Sequence, residues 1–238
     1  VVNGWERVDY IKPNPDFHPS LTFGFDEAFN VIAAEVKNVQ ENVGLCEVNG
    51  FNRFEINGED RHSFLDRMFC GNVTKRDGRV GLGYLLNHHG MVKGEATVAN
   101  LPPSDRGSAR IWYGSAAASE FHDMDWLQQH LRADEDVQIR SLTNDQTILV
   151  LAGPKSRDVL GALVRDAEPE TVLSNKRFPW LSARQIELGM CPVNAIRVAY
   201  TGELGWELHH PMEMQNYLFD LLEKAGADHG MKLVGARA

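Results

Sequence analysis

The chain has 238 residues, enough for one large domain or two small ones with a core of useful size. Its 43% hydrophobic and 24% charged residues are ordinary for a soluble globular protein. A net charge of -9 with no block of Lys and Arg argues against nucleic-acid or anionic-membrane surfaces, which need clustered positive charge. No apolar run is long enough to span a bilayer, and the opening Val1-Val2-Asn3-Gly4-Trp5-Glu6-Arg7 is too short and polar for the apolar region of a signal peptide. Cys46, Cys70 and Cys191 are odd in number and widely spaced. They fit neither a disulfide framework nor a zinc site, so a reducing compartment is the simpler expectation.

Residues 1–23 carry Pro13, Pro15 and Pro19 and read as an extended arm or linker; residues 24–238 read as one domain. Phe25, Ala28, Phe29, Ile32, Val36 and Val39 recur at helical spacing, predicting a helix over 25–41 whose apolar stripe packs in the core. Short strands follow at 45–48 and 52–56. Gly58-Glu59-Asp60 opens a helix through Phe69, with Asp60 near its positive end. Strands at 81–87 and 92–101 flank the hairpin signal His88-His89-Gly90. A strand at 109–114, a helix over 117–131 and strands at 137–142 and 147–151 come next. Gly153-Pro154 starts a helix to about residue 164, with proline in its first turn. Strands at 183–189, 193–200 and 204–209 precede a helix over 212–229. The order predicts an α+β fold, mostly antiparallel strands with helices on one face, in two βαβ-like halves that meet near residues 143–153.

The most informative stretch is Ala199-Tyr200-Thr201-Gly202-Glu203-Leu204-Gly205-Trp206-Glu207-Leu208. An alternating strand runs into Thr-Gly, a second short strand follows, and Gly202 and Gly205 punctuate a tight turn. A carboxylate held on a strand beside aromatics can accept two parallel hydrogen bonds from a flat, amidine-like edge such as that of a pterin. Read from its residues alone, the segment is first a hairpin with a solvated glutamate. It resembles, however, the Tyr-Thr-Gly-Glu-x-Gly-aromatic-Glu signature of the aminomethyltransferase family, the T-protein of the glycine cleavage system. Trp206 in the aromatic slot is most similar to the folate-binding domain of dimethylglycine and sarcosine dehydrogenases. Val43-Gly44-Leu45, residues 87–98, Leu151-Ala152-Gly153-Pro154-Lys155-Ser156-Arg157 and Gly235-Ala236-Arg237 agree in order.

The resemblance implies a tetrahydrofolate cofactor and a set of site residues. Glu95 matches a family acid, usually Asp, beside the reactive folate nitrogens, where a carboxylate stabilises positive charge or moves a proton. Glu207 takes the pterin edge, and strand alternation places it on the face opposite Trp206. Tyr200 walls the folate. Arg237 matches an arginine suited to folate's carbonyl and glutamate tail. Glu203 is a solvated turn residue. The bland alternatives are a solvated strand carboxylate for Glu95 and a surface arginine at a frayed terminus for Arg237. His88-His89 and His209-His210 offer one ligand per strand face and no third partner at metal spacing, so no metal site is expected. No Gly-x-Ser-x-Gly elbow or P-loop occurs; Ser156 reads as a helix-start residue.

By resemblance, the chain is expected to be the one-carbon transfer domain of an N-methyl amine dehydrogenase, giving methylene-tetrahydrofolate from an amine-derived one-carbon unit. No Gly-x-Gly-x-x-Gly occurs, so FAD and its domain are expected elsewhere in a parent chain. The family continues past Gly235-Ala236-Arg237 into a further helix and a small barrel, so the domain reads as truncated. The alternatives are a free-standing aminomethyl or methyl transferase and a folate-fold regulatory protein without chemistry. The compartment is expected to be bacterial cytoplasm or mitochondrial matrix.

Overall fold

The structure, a computed structural model, describes residue 4 and residues 6–20, 22–71, 73–104, 107–166 and 168–238. The helix α1 (Glu27–Glu41) leads into β1 (Val43–Glu47) and β2 (Phe51–Asn57). Then come α2 (Arg61–Met68), β3 (Phe69–Cys70), β4 (Val80–Leu86), β5 (Val92–Leu101) and β6 (Arg110–Ala116). Next are α3 (Glu120–Gln129), β7 (Gln138–Ser141), β8 (Gln146–Ala152), α4 (Ser156–Gly161) and α5 (Pro169–Val172). β9 (Ser182–Leu188), β10 (Cys191–Arg197), β11 (Gly205–Pro211), α6 (Gln215–Gly226) and β12 (Met231–Leu233) complete the order.

The strands form two six-stranded sheets, in the orders β12-β1-β8-β11-β10-β9 and β3-β4-β5-β6-β2-β7. Among the described residues, the strand pairs are antiparallel except for β1 with β12. The chain crosses to the second sheet after β1 and returns between β7 and β8, so the α+β fold has its seam near residue 143, as the sequence suggests.

Period-2 alternation gives each sheet two unlike faces. One face of the first sheet presents Leu45, Leu149, Leu151, Val193, Trp206 and Leu208 to Val159 and Leu160 of α4 and Leu218 and Leu222 of α6. One face of the second presents Phe54, Ile56, Val98 and Tyr113 to Phe64 and Leu65 of α2 and Leu127 of α3. The remaining faces meet in a smaller cluster of Val80, Ala99, Leu101, Trp112, Ala183 and Ile196. Helices therefore cover one face of each sheet, and the helix-free faces look at one another.

Several local expectations need correction. The apolar stripe of α1 is buried only in part: Ala28 is buried and Ile32, Val36 and Val39 are half-buried, but Phe25 and Phe29 are exposed, and the polar Glu35 and Asn38 are buried as well. These two polar residues serve backbone ends. Glu35 accepts from Ile11 N at 2.6 Å and from Gly235 N at 3.0 Å, and Asn38 Nδ2 donates to the Val43 carbonyl at 2.8 Å. Phe69 is not helical; it pairs with Leu85 in β3–β4. The helix expected to reach residue 164 ends at Gly161, because Val164 bridges to Leu188 and Arg165 N donates to Glu187 O, tying the chain to β9. α5 and β12 were not foreseen. The strand expected to reach Tyr200 ends at Arg197, and residues 198–204 form a loop rather than a tight turn. Val198 O lies 2.7 Å from where a Cβ on Gly205 would sit, so the loop can close onto β11 only over a glycine.

The arm is tied down in part. Ala236 N donates to Val8 O at 2.8 Å and Arg237 N to Asp9 O at 3.1 Å, so residues 8–11 run beside the last residues of the chain. Gly235 is required there, since a Cβ would meet Asp9 O at 2.2 Å.

Candidate functional site

Glu207 and Trp206 part company as alternation demands. Trp206 is fully buried, with its ring edge-on to Phe178 at 4.9 Å and Nε1 donating to Ser156 Oγ at 3.2 Å. Ser156 is therefore a partner of the tryptophan as well as the first residue of α4. Glu207 pairs with Ile196, a member of the inter-sheet cluster, so its side chain rises on the face that looks toward the second sheet. It keeps 33% side-chain exposure.

His209 Nε2 lies 3.0 Å from Glu207 Oε2, and the His209 side chain is fully buried. A carboxylate only accepts, so the imidazole places its Nε2–H toward Glu207. The ring packs edge-on against Trp112 of β6, centroid to centroid 4.7 Å. Glu207 is thus held by a residue wedged against the opposite sheet. His209 stands two positions from Glu207, the spacing that puts two strand residues on one face, so strand periodicity in the sequence already pairs them.

The second sheet brings its own polar groups to this space. Thr97, Gly114 and Arg53 are aligned across β5, β6 and β2. Gly114 leaves room for the Trp112 ring, whose Cη2 lies 2.2 Å from where a Cβ would be. Arg53 is fully buried; Nη2 donates to Thr143 O at 2.7 Å, while Nε and Nη1 have no partner among the described residues. Burial pulls its pKa down to about 10, opposed by the Glu120 charge, so it remains a cation at neutral pH. Trp112 Nε1 and His209 Nδ1 are also buried without a partner among the described residues. Cys46, two strands from Glu207 along the β1–β8–β11 register, has its thiol pushed up to about 11, by burial first and then by the Glu207 and Glu47 charges against the pull of Arg7.

Glu95 shares a face of β5 with Thr97, Ala99 and Leu101 by alternation, the face that carries the inter-sheet cluster. It is exposed and sits opposite Tyr84 of β4. The Glu95 carboxylate raises the Tyr84 phenol pKa, by hydrogen bonding first and then by charge. Glu95 and Glu207 therefore stand on the mutually facing sides of the two sheets. Glu95 lies four residues, roughly 13 Å at strand rise, from the Ala99 that pairs with Trp112.

Tyr200 and Arg237 are placed apart from this arrangement. Tyr200 is fully exposed on the 198–204 loop. Arg237 is exposed, with its backbone bonded to the arm. Glu203 accepts a hydrogen bond from the Thr201 hydroxyl within the loop.

A pair of sheets whose inner faces meet and whose outer faces are backed by helices defines a class of fold. The same fold is seen in the solved glycine cleavage system aminomethyltransferase T from Bartonella henselae, which superposes with a TM-score of 0.70 over 93% of this chain and 56% of that one, at 18% identity. The chain belongs to the family described as the GCVT N-terminal domain, whose profile matches residues 1–238. It is 33% identical over 237 residues to mitochondrial dimethylglycine dehydrogenase of Rattus norvegicus, covering 99% of this chain and 26% of that protein. It is 27% identical over 242 residues to the mitochondrial pyruvate dehydrogenase phosphatase regulatory subunit of Mus musculus, covering 98% and 26% respectively. The chain thus spans about a quarter of the length of these relatives. The proteins it is similar to come from bacteria and from mitochondria.

Proposed function

We propose that the chain binds tetrahydrofolate between its two sheets and takes part there in the capture of a one-carbon unit derived from an N-methyl amine. The observation that carries this reading is the placement of Glu207. It is a partly exposed carboxylate on the inner face of β11, backed by a buried tryptophan and held at 3.0 Å by a buried histidine.

The residues present fit the group. Glu207 Oε1 and the free lone pairs of Oε2 can accept from the paired N–H groups of a pterin edge, a charge-assisted and planar match. Trp112 Nε1 and Arg53 Nε and Nη1 are donors without partners among the described residues, suited to a carbonyl or carboxylate. Tetrahydrofolate, when bound, supplies the nucleophilic nitrogens that take up the one-carbon unit. Glu95 contributes negative charge toward the cationic one-carbon species, and Tyr84 orients the Glu95 carboxylate. Tyr200 and Arg237 complete the site only if the 198–204 loop and the chain end fold inward over the ligand.

In a parent enzyme the oxidation of the amine belongs to a flavin domain outside these residues, and this domain receives its product. The particular amine rests on the likeness to dimethylglycine dehydrogenase. A compartment in bacterial cytoplasm or mitochondrial matrix accords with that role. The likeness to a phosphatase regulatory subunit favours a second reading, in which the fold binds its ligand as a sensor without chemistry. Assaying methylene-tetrahydrofolate formation in the flavin-containing enzyme separates the two: a rate that falls on Glu95→Gln supports the transfer role. Tight folate binding with no dependence of any turnover on Glu95 supports the sensor.

A further inference from the structure

A cavity of about 780 Å³ opens where the second sheet meets the edge strand β9, and none of Glu95, Tyr200, Glu207 or Arg237 lines it. Its walls carry Arg76, Arg79, Arg165, Lys176, Arg177 and Arg184 against three carboxylates, Asp77, Asp166 and Glu187. The whole chain has 24 Lys and Arg and 33 Asp and Glu, so a quarter of its cations and a small share of its acids meet in one cleft. Among the described residues, none of the six cations is in an ion pair, although the same protein pairs Arg67, Arg110 and Arg140 with carboxylates elsewhere. Cations packed in a concave, partly apolar site repel one another and focus a positive potential outward.

The cleft is built rather than incidental. Its floor is stitched across the two sheets: Val80 N donates to Leu181 O, Ala183 N to Gly78 O and Gly78 N to Asn100 O, at 2.8 to 3.0 Å. Gly78 takes a left-handed φ of +68°, and a Cβ there would meet Ala183 O at 3.0 Å. Leu181 holds φ at +55°, a left-handed conformation that a residue with a side chain rarely adopts. Arg79 is aimed by a bond from Nη1 to Trp180 O at 3.0 Å, and Arg184 is stacked 5.8 Å from the Phe178 ring. Val164, Val172 and Ile186 give the cleft apolar patches between the cations.

We infer that this cleft is a second binding site, independent of the folate reading, for a small organic polyanion carrying two or more phosphate or carboxylate groups. Cavities of a few hundred to about 1,000 Å³ take ligands of metabolite size, and guanidinium forks match both anion types.

Calorimetric titration of the 238-residue chain at low salt, with tripolyphosphate in one arm and citrate in the other, tests this. Saturable binding in either arm supports the site and identifies the anion type. That binding should weaken about tenfold or more in Lys176→Gln/Arg177→Gln, and in Arg76→Gln/Arg165→Gln from the other walls should the first pair disturb folding by circular dichroism. It should be unchanged in Glu207→Gln, which separates this site from the folate site. No saturable binding in either arm, or equal affinity in parent and cation variants that remain folded, overturns the inference.

Discussion

His209 and Glu207 face each other across 3.0 Å on one side of β11, and the histidine is fully buried while the glutamate keeps a third of its side chain in reach of solvent. The histidine ring is fixed in turn against Trp112 of the other sheet. The direction of the Glu207 carboxylate is therefore set by packing between the sheets.

Removing that support should loosen Glu207 without deleting it. His209→Ala is expected to weaken folate by about 0.5–1.5 kcal/mol, less than loss of the Glu207 charge itself, because it removes a hydrogen bond that orients the carboxylate and not the carboxylate. His209→Gln, which can place an N–H near Nε2, should restore part of the loss. Calorimetry on both variants checks this; equal losses in Ala and Gln would mean that His209 acts only as packing.

Much of this was open to reading from the sequence. The α+β class, the seam near residue 143 and the opposed faces of Trp206 and Glu207 all follow from strand periodicity and turn residues. What escaped depends on contacts distant in sequence. Phe25 and Phe29 match a helical stripe yet are exposed, and the buried side of α1 also carries Glu35 and Asn38, which hold the backbone at Ile11, Gly235 and Val43. Tyr200 sits at the end of an alternating run, but the loop closing over Gly205 carries it into solvent. Arg53 and Trp112 gave no motif at all; only the stacking of two sheets reveals them as buried donors without partners among the described residues.

Glu95 should govern rate more than affinity, since its charge lies where the one-carbon cation develops. In the flavin-containing enzyme, Glu95→Gln is expected to slow methylene-tetrahydrofolate formation about tenfold or more, the low end for a positioned proton-transfer or charge-stabilising group, with flavin reduction unchanged. Tyr84→Phe should cost less, because it removes an orienting partner only. Rapid-mixing measurement of the two half-reactions decides this; equal slowing of both would place Glu95 outside the transfer step.

Stability should fall on mild acidification through His210. Its imidazole is buried, with Nδ1 donating to Leu208 O at 2.8 Å, and burial lowers its pKa below the ordinary 6.5. The unfolded chain then takes up a proton that the folded one refuses. The contribution is complete above about pH 6.5 and is lost as pH drops from there toward the folded pKa. Urea denaturation at pH 7.5 and 5.5 should show a smaller acid loss in His210→Gln than in the parent. An identical loss in both would assign the acid sensitivity to other groups.

The central claim is that Glu207 holds a folate. Glu207→Gln keeps the shape of the side chain and removes its charge, and its amide oxygen can still accept from His209 Nε2. Calorimetric titration of tetrahydrofolate into the parent and Glu207→Gln chains, side by side, is the direct test. The account predicts saturable binding to the parent and a loss of about 1.5–3 kcal/mol in the variant, the range for a hydrogen bond to a charged group. Equal affinity in the two chains, or no binding by the parent, would contradict it.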